Sequence, residues 1–136
     1  MREILFRGKR IDNGEWVEGW LVFKTDPVLE ITYCYILAYG KGESFVTWYP
    51  IDPATVGECV GLSDKNGKKI FEGDIVRYEI WAGACVLFRS DLMHVEWSEQ
   101  TAQFIVTGDC SYIMGSAYKY EIIGNIHDNP ELLKGD

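Results

Sequence analysis

The stretch from Gly61 to Tyr78, GLSDKNGKKIFEGDIVRY, leaves the chain few folds to choose from. Asn66-Gly67 is a turn dipeptide, because both residues tolerate the positive φ that a tight strand-to-strand connection needs. Gly73-Asp74 follows, and opens onto Ile75, Val76 and Tyr78. That run is rich in residues that suit a pleated, half-buried surface, so it reads as the first strand of a small barrel.

The segments on either side carry the same signal. Downstream, the strands expected are Asp74–Trp81, Ala84–Phe88, Met93–Trp97, Gln103–Thr107 and Tyr118–Ile126, punctuated by Gly83, Ser90-Asp91, Ser98 to Gln100 and Gly108-Asp109. Short strands separated by regular turns suggest an antiparallel barrel. Gly115 and Ser116 loosen the approach to the last strand. Upstream, residues 3–9 and 15–23 flank Asp12-Asn13-Gly14 and read as a hairpin. Trp16, Trp20 and Val22 share one face of its second strand, and Val17, Leu21 and Phe23 the other. With both faces apolar, one is expected to meet the core and the other a second layer or another subunit. Thr25-Asp26-Pro27 reads as a break, since Pro27 cannot donate to a ladder. Residues 28–39 then form a strand or two. Gly40 to Glu43 is a turn, Ser44 to Tyr49 a strand, and Pro50-Ile51-Asp52-Pro53 an irregular corner. At the far end, Asn129-Pro130 is expected to cap a short helical tail, pinned by Leu132 and Leu133.

The fold class expected is therefore all-β. An amino-terminal β-rich part (1–60) precedes a barrel with a short helical tail (61–136), the two packed as one unit. The chain of 136 residues is long enough to bury a core without staples. Its aromatic content of 14% adds weight to the β reading.

Charge and cysteine usage narrow the function classes. The net charge is −8. Residues 91–136 hold two bases, Lys119 and Lys134, and eight acids. Such a segment is a poor partner for a phosphate backbone and suits a basic protein partner or a solvated surface. Cys34, Cys59, Cys85 and Cys110 never form a CxxC pair, so a zinc site is not expected. They read as free, buried, structural cysteines in a reducing cytosol. No leader-like segment and no 18-residue apolar stretch appears, so neither export nor a membrane span is expected.

Motifs that could carry chemistry are sparse. His94 and His127 read as structural histidines in or beside a strand. Asp64, Asn66 and Gly67 partly mimic a calcium loop, but Lys68 stands where a ligand is needed, so a turn is expected and no metal. Glu72 and Asp74 read as turn and strand-opening residues, with Asp74 capping nearby N–H groups. Ser111 lacks a nucleophile frame, and no nucleotide-binding loop is present. Neither catalytic residues nor a cofactor are expected. Lys65, Lys68 and Lys69, with Trp81 nearby, could meet phosphates and stack a base, which makes them the candidate binding residues.

Two longer patterns resemble the YopX-like family. One is Gly61-Leu62-Ser63-Asp64-Lys65-Asn66-Gly67-Lys68-Lys69-Ile70-Phe71-Glu72-Gly73-Asp74-Ile75-Val76. The other is Tyr120-Glu121-Ile122-Ile123-Gly124-Asn125-Ile126-His127-Asp128-Asn129-Pro130-Glu131-Leu132-Leu133. Ile4-Leu5-Phe6-Arg7-Gly8-Lys9 is similar to the family's opening strand. The resemblance implies a protein of bacteriophages and prophages with an SH3-like barrel in its carboxy-terminal half. It brings no catalytic residues with it.

The expected function is that of a non-enzymatic, phage- or prophage-encoded accessory protein in the bacterial cytoplasm. It would act through protein contact, as a homo-oligomer, with an unknown protein partner. The motive is the aromatic surplus, since five Trp, eight Tyr and six Phe overfill the core of so short a chain. The alternative is a nucleic-acid-binding module using the Lys65–Lys69 turn, which the net charge disfavours. A small enzyme is a third reading, and it needs a histidine beside a cysteine in an open cleft.

Overall fold

The structure is a computed structural model that describes residues 4–39, 42–108, 110–115 and 118–133. Parts of the turns expected at 40–43 and 108–109, and Ser116, lie outside those residues. The chain is all-β and divides into two compact units, Met1–Cys59 and Val60–Asp136. Among the described residues no helix is long and apolar enough to cross a membrane.

The first unit is a meander. Strands β1 (Phe6–Lys9), β2 (Trp16–Asp26), β3 (Ile31–Tyr39) and β4 (Val46–Pro50) pair in the order β4-β3-β2-β1. The start of β5 (Gly57–Ser63) adds to the far side of β1. The Asp12-Asn13-Gly14 turn forms as expected. Gly14 takes φ 73°, its N–H donates to the Arg10 carbonyl at 2.9 Å, and Asn13 Oδ1 accepts the Glu15 N–H. Thr25 and Asp26, however, do not break the run. Both stay in β2 opposite Thr32 and Ile31, and the Thr25 and Thr32 hydroxyls sit 3.0 Å apart. β-branched Thr suits the ladder, and only Pro27 leaves it. The turn is then closed by Asp26, whose Oδ1 accepts the N–H groups of Val28 and Leu29.

The core of this unit is Cys34, Ile36 and Ile51, with Val17, Leu21, Ala38, Tyr49 and Val56 packed on them. Ile51 belongs to the corner between Pro50 and Pro53, so that corner is core as well as connection. Asp52 then caps a single 3-10 turn, Pro53–Thr55, by accepting the Ala54 N–H. Gly19 lies on the same face of β2 as Val17 and Leu21. A Cβ there would stand 2.1 Å from the Leu37 carbonyl oxygen, so only glycine lets β3 approach.

The second unit begins with the rest of β5, paired to β6 (Lys69–Phe71). It continues with β7 (Asp74–Ala82), β8 (Cys85–Arg89), β9 (Met93–Ser98), β10 (Gln103–Thr107), β11 (Ser111–Ile113) and β12 (Lys119–Asn125). Five of these match expected strands to within two residues, while β11 was not expected. They form a curled sheet in the order β11-β10-β9-β7-β12, with β8 paired to β7. Val60, Ile70, Val76, Tyr78, Met93, Val95, Phe104, Val106 and Tyr120 form its core.

Asp64 ties the hairpin to this sheet. Its side chain is buried. Oδ1 accepts the N–H groups of Asn66 and Lys68, both at 2.9 Å, while Oδ2 accepts the Ile122 N–H at 3.2 Å. Gly67, at φ 85°, completes the turn. Asp74 acts likewise on a smaller scale, accepting the Phe71 N–H at 2.8 Å. Gly73, at φ 89°, donates to the Val95 carbonyl and accepts from the Ile126 N–H.

The helical tail is not formed. Pro130–Leu133 is a single 3-10 turn. Asn129 directs its side chain backward, accepting the Asn125 N–H at 3.2 Å rather than capping a helix ahead of it. Gly124 makes room for that bond, since a Cβ there would lie 2.5 Å from Asn129 Oδ1.

The Asp64→Ala variant is expected to lose about 3 kcal/mol of stability in urea unfolding, because three backbone donors lose a charged acceptor at once. Asp91→Ala, on an exposed position, is the control and should shift the midpoint by well under about 0.5 kcal/mol.

Candidate functional site

Two of the residues singled out from the sequence, Lys65 and Trp81, meet around one carboxylate. Glu79, on β7, is 1% exposed. Its Oε2 accepts Arg89 Nε at 2.7 Å, and its Oε1 accepts Trp81 Nε1 at 3.1 Å and Lys65 Nζ at 3.5 Å. Lys65 is also 3.8 Å from Glu121. The ammonium of Lys119 lies 4.3 Å above the Trp81 ring. Lys65 and Trp81 are thus brought together, with Lys65 held between two carboxylates and the indole covered by a cation. Lys68 and Lys69 are exposed, Lys68 just after the turn and Lys69 at the start of β6. Glu79 itself has no motif around it, and sequence reasoning missed it. The only available signal was an acid in a strand between Tyr78 and Ile80.

Arg89's hydrogen bond holds the Glu79 carboxyl below the usual carboxylate range, with help from Trp81 and the charges of Lys65 and Arg89, against the opposing effect of burial. Two other groups move for simpler reasons. Burial pushes the Cys34 thiol and the Tyr120 phenol up.

Each histidine has a polar contact of its own. His94 Nε2 lies 3.2 Å from Glu96. His127 follows β12, its backbone N–H bonded to Asn125 Oδ1, its ring packed over Gly73. All four cysteines are free, but only Cys34 and Cys59 are buried. Cys85 and Cys110 are exposed, against expectation, because Cys85 opens a strand whose residues all face solvent and Cys110 sits in a turn. Cys110 and His94 line one groove, yet the Cys110 thiol bonds Tyr112 and the His94 ring bonds Glu96. Among the described residues no group of three or more His, Cys, Asp or Glu is placed to hold a metal ion.

The first unit carries the larger feature. Residues paired across its sheet point to the same side. Trp20, Leu37 and Trp48 form one such row, and Val22, Tyr35 and Pro50 the next. Tyr39 and Val46 extend the patch. This side lies opposite Val17, Leu21 and the core. Trp20 is 56% and Trp48 48% exposed, with the Tyr35 ring edge-on to Trp48 at 5.5 Å. Phe23, on the same side of β2 as Leu21, is 61% exposed, and Val28, Leu29 and Ile31 around the tip of the β2–β3 hairpin are exposed as well.

Because the folded Glu79 titrates lower than an unfolded one, its contribution to stability is full above about pH 4.5 and is lost as pH falls through the lowered folded value. Urea unfolding from pH 7 down to about pH 3 is expected to show this loss in wild type. Glu79→Gln should be less stable at pH 7 and flatter across the acid range. A variant with the wild-type acid slope would contradict the assignment.

A search of curated proteins finds no match. Among solved structures, the chain is similar to the crystal structure of protein EF1440 from Enterococcus faecalis. That similarity has a TM-score of 0.59 at 23% identity and covers 98% of this chain and 99% of that one. At this identity the likeness shows the fold alone. The family model described as YopX protein matches residues 5–134, nearly the whole length, in agreement with the resemblance of the Gly61–Val76 and Tyr120–Leu133 patterns. The chain belongs to the YopX protein family.

Proposed function

We propose that this chain is a non-enzymatic accessory protein of phages and prophages that works in the host cytoplasm through protein contact, and that the aromatic side of the β2-β3-β4 sheet is the surface by which copies associate. The single observation behind this reading is the exposed Trp20–Leu37–Trp48 row with its aromatic surround. Aromatic residues at that density on one exposed face belong to interfaces rather than to ordinary surface.

The charges support a second copy as the occupant. Glu18 and Lys24 lie on the same side of β2, on opposite flanks of Trp20 and Val22, and both are exposed. A two-fold axis through the patch sets Glu18 of one copy against Lys24 of the other, which is the self-complementarity a symmetric dimer requires. The curled sheet of the second unit is read, with the family resemblance, as an SH3-like barrel. A nucleic-acid role for the Lys65–Lys69 turn has less behind it, since Lys65 is paired with Glu79 and Glu121 and Lys119 covers Trp81.

Light scattering after size exclusion is the test. Wild type should elute as a multiple of 15.5 kDa. Trp20→Glu with Trp48→Glu should be a folded monomer, because like charges then face each other in a desolvated interface. A wild-type mass of one chain across a wide concentration range would sink the proposal.

A further inference from the structure

The second unit contains a groove of about 690 Å³ that the self-association reading leaves unused. Its aromatic wall is built on Tyr78. Phe88 stands 5.7 Å from that ring, tilted by 40°, and Tyr112 stands 5.9 Å away, inclined at 67°. Leu132 and Leu133 of the terminal 3-10 turn line it as well.

Its polar side chains are mostly spoken for. The Ser90 hydroxyl accepts the Tyr78 N–H and donates to the Asp91 carbonyl. The Thr107 and Ser111 hydroxyls bond each other at 2.7 Å. His94 bonds Glu96, and Cys110 bonds Tyr112. The Asp91 carboxylate is the exception, exposed and without a side-chain partner among the described residues. The groove therefore joins aromatic faces, which attract cations, to an anion with its acceptor sites open. It lies in a chain of net charge −8, which draws cations toward it. A neutral apolar guest would leave Asp91 unused, and an anion would be repelled.

We infer that this groove takes the guanidinium of an arginine side chain presented by a protein partner. Arginine fits better than lysine because its planar head stacks on tyrosine and phenylalanine while its N–H fork meets a carboxylate. The partner is thus a basic segment, bound on a unit separate from the self-association face.

The probe is the peptide acetyl-Gly-Arg-Gly-amide, with its citrulline counterpart as a neutral isostere, titrated into the full chain and followed by NMR. The arginine peptide should shift the signals of Tyr78, Phe88, Asp91 and Tyr112. The citrulline peptide should bind about tenfold more weakly, as expected when one charged partner is lost. Asp91→Asn should erase the difference between the two peptides without lowering the unfolding midpoint, and added salt should weaken only the arginine peptide. Equal binding of both peptides, or shifts away from the groove, overturns the inference. Agmatine binding more tightly than the peptide would overturn the assignment to a protein partner.

Discussion

One buried carboxylate holds the central hairpin in place. Asp64 satisfies two N–H groups of its own turn and a third from Ile122, 58 residues further on. In a low-dielectric interior such an acceptor is worth most when every lone pair is used, and costs most when one is not. The turn chemistry of Asn66-Gly67 would form a hairpin by itself, but the bond to Ile122 decides where that hairpin sits. The backbone bond from Lys65 N–H to the Tyr120 carbonyl, at 2.8 Å, reinforces the same link. Two sequence patterns at opposite ends of the second unit thus turn out to be halves of one junction.

Glu79 plays a related part with different physics. It is a charge inside the protein, and it persists because Arg89, Lys65 and the Trp81 indole surround it. Removing any one partner leaves a buried charge short of compensation, whereas the exposed pair of Arg10 and Asp12 is screened and contributes little. Lys65 and Trp81, which with Lys68 and Lys69 resemble a nucleic-acid surface in the sequence, are absorbed in this structural task.

Both units expose part of their apolar surplus. In the second, Tyr78 and Tyr120 are buried, with the Tyr120 hydroxyl accepting the Gly115 N–H at 3.0 Å, while Phe88, Trp97 and Tyr112 stay exposed. In the first, the sheet has a core on one side and an open aromatic side on the other. A meander with alternating residues always makes two faces, and here both are apolar. The core side needs Gly19 and Gly8, whose missing Cβ atoms leave room for Leu37 and Ile51. The open side has no such constraint and carries full-sized tryptophans.

Much of this was legible in the residues themselves. Turn dipeptides and period-two alternation predict the strands from Asp74 to Thr107 and the Asp12–Gly14 hairpin, because those signals act between neighbours in the chain. The family likewise is carried by local pattern. Other features came only with the tertiary structure. Thr25 and Asp26 stay in a strand because Thr32 and Ile31 lie opposite them. Asn129 turns back to Asn125 instead of starting a helix because Gly124 leaves it space. Asp91 faces an aromatic groove whose walls come from four separate stretches of chain. Burial of Glu79 depends on Lys65 and Arg89 arriving from either side. Local propensity is written residue by residue, whereas burial, pairing and the vacancy of a face depend on which distant strands meet, and that is settled only when the whole chain has folded.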